Sequence, residues 1–107
     1  MHRSLTLVLL LSAVASAFAD DSTIELIIKD HRFTPNEVVI PKDTKVILSV
    51  TNQDATAEEF ESKTLHREKI IPGNSRALIR IGPLAPGTHE FIGEFHEETA
   101  RGTLIVK

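Results

Sequence analysis

His89-Glu90-Phe91-Ile92-Gly93-Glu94-Phe95-His96-Glu97-Glu98-Thr99-Ala100-Arg101-Gly102-Thr103-Leu104-Ile105-Val106 is the stretch from which the rest of the chain is read. It divides into two β-forming runs joined by a short loop that carries His96 and several glutamates. Glycine within a strand, as at Gly93, marks a bulge or a close backbone approach. If the first run persists past it, Glu94 and His96 are two residues apart and project to one face. The chain has no cysteine. Any metal held at this corner is therefore held without a thiolate.

Working back toward the N-terminus, short β-rich runs alternate with turn residues, the pattern of a sandwich. Ile24, Leu26 and Ile28 share one face of a first strand over residues 23–29. Residues 30–36 read as a turn, 37–40 as a short strand ended by Pro41-Lys42-Asp43, and 44–52 as a strand with Val46, Leu48 and Val50 inward. Residues 54–59 read as a loop or helical turn, 59–63 and 69–71 as strands, and 77–81 as a further strand. Gly82-Pro83-Leu84-Ala85-Pro86-Gly87 is a turn by composition. Seven to eight strands and no helix are expected, in an all-β antiparallel sandwich of Greek-key type.

The N-terminus reads as an export signal. Met1-His2-Arg3 is basic, residues 5–11 are apolar, and Ala17-Phe18-Ala19 is a small-x-small cleavage site. A signal peptide is expected over 1–19 and a single domain over 20–107, with periplasmic localisation and no membrane insertion after cleavage. Removing Arg3 lowers the basic count from 12 to 11 against 15 acidic residues, a net charge of −4. No basic patch points to nucleic acid. A domain of this size without disulfides depends on its apolar core.

Several segments together resemble the bacterial periplasmic cupredoxin-like domain. They are Phe33-Thr34-Pro35, residues 40–44, Val50-Thr51-Asn52-Gln53-Asp54, Glu58-Glu59-Phe60, residues 72–75 and 84–88, and the final hairpin. Glu58-Glu59-Phe60-Glu61-Ser62, Arg67-Glu68-Lys69, residues 81–84 and Gly93-Glu94-Phe95-His96 are similar to the cysteine-free members associated with bacterial iron uptake. The resemblance implies a copper or iron ion as cofactor. It also implies a high-affinity iron permease, or other periplasmic iron-uptake components, as partner, with assistance to ferrous iron oxidation as the role.

The resemblance also implies where the pattern departs from blue copper. His96 falls at the second histidine position, Gly93 at the cysteine, Glu58 at the first histidine, and Thr99 to Arg101 where the methionine would stand. A type 1 blue-copper centre is therefore not expected. Gly93 leaves room for a water or a carboxylate where the sulfur would have been.

Chemistry at the remaining residues is that of one imidazole among carboxylates. His96 and Glu58 are the leading metal ligands, followed by Glu94, Glu59 and Glu97, with His66 as a second-site candidate beside Glu61 or Glu68. Glu58 and Glu59 alternate, and the sequence does not separate them. Such a set suits iron, Mn(II), Cu(II) or Zn(II) better than Cu(I). His31 is expected to be structural or solvated, and His89 partly buried at the far end. Ser49, Ser62 and Ser75 lie in no nucleophile motif, so no conventional active site is expected and a metal-centred ferroxidase role within a complex is the one enzymatic reading. The competing reading is a metal-free, degenerate cupredoxin that docks on a periplasmic or membrane partner.

Overall fold

The computed structural model of the protein describes residues 22–107, and the signal peptide expected over 1–19 lies outside these residues. Among the described residues nine strands build the fold: β1 (Ser22–Lys29), β2 (Arg32–Thr34), β3 (Glu37–Ile40), β4 (Val46–Asn52), β5 (Glu58–Ser62), β6 (Arg67–Ile71), β7 (Ser75–Ile81), β8 (Gly87–Gly93) and β9 (Arg101–Val106). They form a four-stranded sheet in the order β2-β1-β4-β7 and a five-stranded sheet in the order β3-β9-β8-β5-β6.

Both sheets are mixed. β1 pairs with β4 in parallel, Leu26 opposite Val50, and β3 pairs with β9 in parallel, Val38 opposite Leu104. The remaining pairings are antiparallel. Side-chain alternation has the same period in either direction, so a hydropathy pattern carries the strands but not their sense. The ninth strand is β2, in a segment that reads as a turn, where Phe33 pairs with Ile28 and turns its ring inward.

Alternation determines the core. Leu26 and Ile28, Val46, Leu48 and Val50, Ile79 and Ile81 face inward from one sheet; Val38, Ile40, Phe60, Ile71, Phe91, Leu104 and Val106 meet them from the other. The three rings Phe33, Phe60 and Phe91 interlock. Phe60 and Phe91 stack at 5.2 Å, and Phe33 meets Phe91 edge-on at 5.0 Å, the offset and edge geometries that aromatic quadrupoles favour. Phe60 stands two residues from Glu58 and pairs with Gly93 across β8. The aromatic cluster therefore forms the apolar underside of the corner that carries His96.

Candidate metal site

The end of β4 sets one side of the corner. Asn52 is fully buried; its Nδ2 donates to the carbonyl oxygens of Thr56 at 2.9 Å, Ile71 at 3.1 Å and Pro72 at 3.3 Å. Its Oδ1 accepts the Asp54 N–H at 3.0 Å. A buried amide satisfied this fully fixes the chain around it. It pins the loop between β4 and β5, which delivers Asp54 on one side and Glu58 on the other.

Asp54 reaches the neighbouring turn between β1 and β2. Its Oδ1 accepts the Asp30 N–H at 2.8 Å and its Oδ2 accepts the His31 N–H at 3.0 Å. Burial acts to raise the Asp54 carboxyl, but the N–H groups of His31 and Asp30 and the nearby imidazoles of His31 and His96 outweigh it. The group is held below its ordinary value. Asp30 and His31 both have positive φ, 54° and 59°, the left-handed pair of a two-residue hairpin turn. Thr99 Oγ1 donates to the His31 carbonyl at 2.6 Å, so the turn is tied from both sides.

After Gly93 the backbone leaves the sheet and makes a 3-10 turn, Glu94–His96. His96 O accepts the Ala100 N–H at 2.9 Å, and the Gly93 N–H closes the loop on Ala100 O at 2.8 Å. This turn is the reason Glu94 and His96 do not share a strand face: their separation is set by the turn and no longer by period two. His96 turns inward onto Glu58, while Glu94 stays exposed.

Glu58 is the centre of the arrangement. It is 1% exposed, and its Oε1 accepts two backbone N–H groups, from Phe95 at 2.9 Å and Glu59 at 3.0 Å. Its Oε2 meets Nδ1 of His96 at 2.6 Å. A buried carboxylate is tolerated when it is paired and hydrogen-bonded in this way. Among the described residues it is the one carboxylate within ion-pair distance of a basic side chain. The His96 ring, 26% exposed, lies face to face with His31, with centroids 3.5 Å apart and planes 11° apart.

The expected ligands thus separate. Glu58 points inward and Glu59 outward, because Glu58 shares the face of Phe60 and Ser62. Glu59 joins Glu68 and Glu94 on the outer side, where one carboxylate oxygen from each lies within 4.8 Å of the others. Glu94 also lines an open depression with His96, Glu97, Glu98 and His31. His66 sits on the β5–β6 turn at φ 58°, beside Glu61 and Glu68, at the opposite end of β5 from Glu58 and roughly 13 Å along the strand. It takes no part in the corner. His89 is half-buried and its Nδ1 lies 2.8 Å from Thr64 Oγ1.

Asp54 was not read as a member of the corner, and His31, read as structural or solvated, stands in it as the ring stacked on His96. The signal for His31 was present. A histidine following Asp30 at the tip of a hairpin occupies a position where Asn-Gly is usual. A left-handed histidine costs backbone energy, which other contacts must offset.

The Cupredoxin-like domain family matches this sequence over residues 3–106. The chain belongs to that family. An uncharacterized protein of Rickettsia prowazekii (strain Madrid E) is 49% identical over 83 residues, which cover 78% of this chain and 66% of that protein. The chain therefore spans just under two thirds of that relative's length. Among solved structures, the metal-binding domain of the Cu(I)-exporting P-type ATPase CopA of Streptococcus pneumoniae superposes with a TM-score of 0.71 at 15% identity, over 83% of this chain and 88% of that one. Auracyanin A, a blue copper protein of Chloroflexus aurantiacus, gives 0.70 at 16% identity, over 81% and 99%. At these identities the likeness is one of fold.

The donor chemistry of this member excludes a type 1 centre. No cysteine is present, and a β-carbon at Gly93 would fall 2.6 Å from Glu58 Cδ and 2.8 Å from Glu58 Oε2. The room left by the missing side chain is filled by the Glu58 carboxylate. Imidazole nitrogen from His96 and carboxylate oxygen from Glu94 and Glu97 line one depression, but among the described residues the ligand atoms brought within 4.8 Å of one another are those of Glu59, Glu68 and Glu94. Donors of these two types suit a borderline or hard cation.

Proposed function

We propose that this protein is a cupredoxin-like metal-binding protein whose site is built on the Glu58–His96 pair and takes copper or iron through nitrogen and oxygen donors. The observation that carries this reading is the 2.6 Å contact between His96 Nδ1 and the buried Glu58 carboxylate. An imidazole held on a buried carboxylate is the usual support of a metal-ligating histidine. His96 and Glu58 would hold the ion, with the carboxylates of Glu94 and Glu97 lining the depression beside them, and a copper or iron ion would supply one-electron redox chemistry there. Solved cupredoxin-fold neighbours that carry copper favour the same element.

The role we assign is periplasmic support of bacterial iron uptake, beside a high-affinity permease, with assistance to ferrous iron oxidation. Support for it comes from the similarity of residues 58–62, 67–69, 81–84 and 93–96 to the cysteine-free iron-uptake group. The carboxylate-rich donor set adds to it, since anionic oxygen ligands favour the ferric over the ferrous state by charge. The export signal read over residues 1–19 supports the compartment.

Titration of residues 20–107 with Cu(II), with Fe(II) under anaerobic conditions and with Zn(II) tests the reading. Stoichiometric, selective binding that is lost in His96→Ala and weakened in Glu58→Ala is expected. Weak binding of all three metals, unchanged by either substitution, would overturn it.

A further inference from the structure

We propose that the end of the sandwich opposite the metal corner carries a second binding site, a basic pocket for a phosphate group formed by Lys45, Arg67 and Arg80. It is independent of the Glu58–His96 pair. β4 runs from Val46 at the pocket to Asn52 at the corner, roughly 20 Å along the strand.

Three elements supply the pocket. Lys45 precedes β4, Arg67 opens β6 and Arg80 stands near the end of β7, around a volume of about 350 Å³ that no carboxylate lines. Ile47 pairs with Arg80 and sets β4 and β7 side by side there. Gly82 lets the chain after β7 pass against the β3–β4 loop, since a β-carbon on it would fall 2.5 Å from Thr44 O. The Asp43 N–H donates to Leu84 O at 2.8 Å and ties the same two segments together. The backbone that carries Lys45 and Arg80 is thus fixed without a ligand.

Arg67 crosses from one sheet to the other. Its Nε donates to the Arg80 carbonyl at 2.9 Å, and its Nη1 to the carbonyls of His66 at 3.1 Å and Leu65 at 3.4 Å. β7 is an edge strand, and the contact covers a backbone group on the row that such an edge leaves unpaired. These partners hold the guanidinium in place but do not neutralise it. Among the described residues no carboxylate lies within ion-pair distance of Lys45, Arg67 or Arg80. Glu68, next in sequence, gathers instead with Glu59 and Glu94 on the outer side. Three cations kept together in this way make a local field opposite in sign to the acidic chain as a whole.

The class of ligand follows from the donors Arg67 has left. Arginine grips a carboxylate through two parallel N–H groups of one guanidinium. Here Nε and Nη1 are committed to carbonyls, so each such pair has one member engaged, and no hydrogen bond among the described residues engages Nη2. One donor group from each of three side chains suits a ligand with three peripheral oxygens and more than one negative charge. A terminal phosphate has both, whereas a carboxylate has two oxygens and one charge.

The experiment follows backbone amide shifts of the 15N-labelled protein, purified as exported, at constant ionic strength. Sodium phosphate and glycerol 3-phosphate are the probes, with sodium acetate and sodium chloride as controls. Saturable shifts confined to residues 45–47, 65–67 and 80–82 are expected with phosphate or its monoester. The tighter of the two probes identifies free phosphate or an esterified one as the source. Lys45→Gln and Arg80→Gln should each weaken that binding by about tenfold, the worth of one modest charge-assisted hydrogen bond. Equal shifts with acetate would overturn the phosphate assignment. Shifts matched by chloride, spread over other basic residues, unchanged in both variants or absent with both probes would overturn the site itself. Lys45 and Arg80 are exposed, and the titration of the unsubstituted protein decides the matter without either variant.

Discussion

Gly93 and Glu58 share one space: a β-carbon added at Gly93 would lie 2.6 Å from Glu58 Cδ and 2.7 Å from the Ala100 β-carbon. The carboxylate and the glycine therefore have to be read together. A strand glycine normally weakens its sheet; here its missing side chain makes room for a buried charge. Gly93→Ala should destabilise the protein by about 1–3 kcal/mol through overpacking. In a Glu58→Ala background the same change should cost distinctly less, because the opposing carboxylate is gone. Chemical denaturation of the four-member cycle measures the coupling. Equal costs in both backgrounds would show that the clash lies with Ala100 or the backbone.

The corner depends equally on Asn52, whose side chain joins the β4–β5 loop to the end of β6. Asn52→Ala leaves the carbonyl oxygens of Thr56 and Ile71 and the N–H of Asp54 without their partner. Each buried group so orphaned costs about 1–3 kcal/mol, with some recovered by water at the loop. A fall in stability of about 2–4 kcal/mol is expected. Because this loop delivers both Asp54 and Glu58, metal affinity should fall as well, although Asn52 touches neither His96 nor the depression. Retained affinity in a destabilised variant would show that the loop holds its shape without Asn52.

How much of this was legible beforehand depends on which physical signal each feature leaves in a sequence. The inward positions Leu26, Ile28, Val46, Leu48 and Val50 were readable because period-two alternation is set by local geometry. The parallel pairing of β1 with β4 was not, since alternation is blind to direction. For Glu58 and Glu59 the alternation was visible but its phase was overlooked; Phe60, two residues on, belongs to the core and fixes Glu58 inward. The 3-10 turn at Glu94–His96 left no such mark. The Glu58 carboxylate accepts the Phe95 N–H from 37 residues away, and the Ala100 N–H on His96 O and the Gly93 N–H on Ala100 O close the turn.

Asp54 gives the fold a defined response to acid. A carboxylate held below its ordinary value contributes stability that is present above its unfolded pKa and is lost as pH falls through the folded one. Asp54 is so held, against the opposing effect of burial, by the N–H groups of His31 and Asp30 and by the two imidazoles. Asp54→Asn should therefore be less stable than the unsubstituted protein near neutral pH, by up to about 1 kcal/mol after solvent screening. The difference should shrink below about pH 4. Thermal melts from pH 7 down to about pH 3 follow it. A gap that stays constant over that range would assign the effect to lost shape and not to charge.

His31 sets two opposing contributions against each other, which separates them by choice of substitution. Its left-handed backbone, at φ 59°, costs a non-glycine residue about 1–2 kcal/mol. Its ring returns about 0.5–1.5 kcal/mol by stacking on His96 at 3.5 Å. Alanine loses the stack and keeps the strain; glycine loses the stack and relieves the strain. His31→Gly should therefore lie within about 1 kcal/mol of the unsubstituted protein, and His31→Ala about 1 kcal/mol below His31→Gly. Both variants free one face of the His96 ring, so both should broaden its proton signals equally by NMR. Stability in the reverse order, alanine above glycine, would mean that the tie to Asp54 and Thr99 holds the turn without strain. The left-handed histidine would then owe its place to the hairpin and not to the ring it covers.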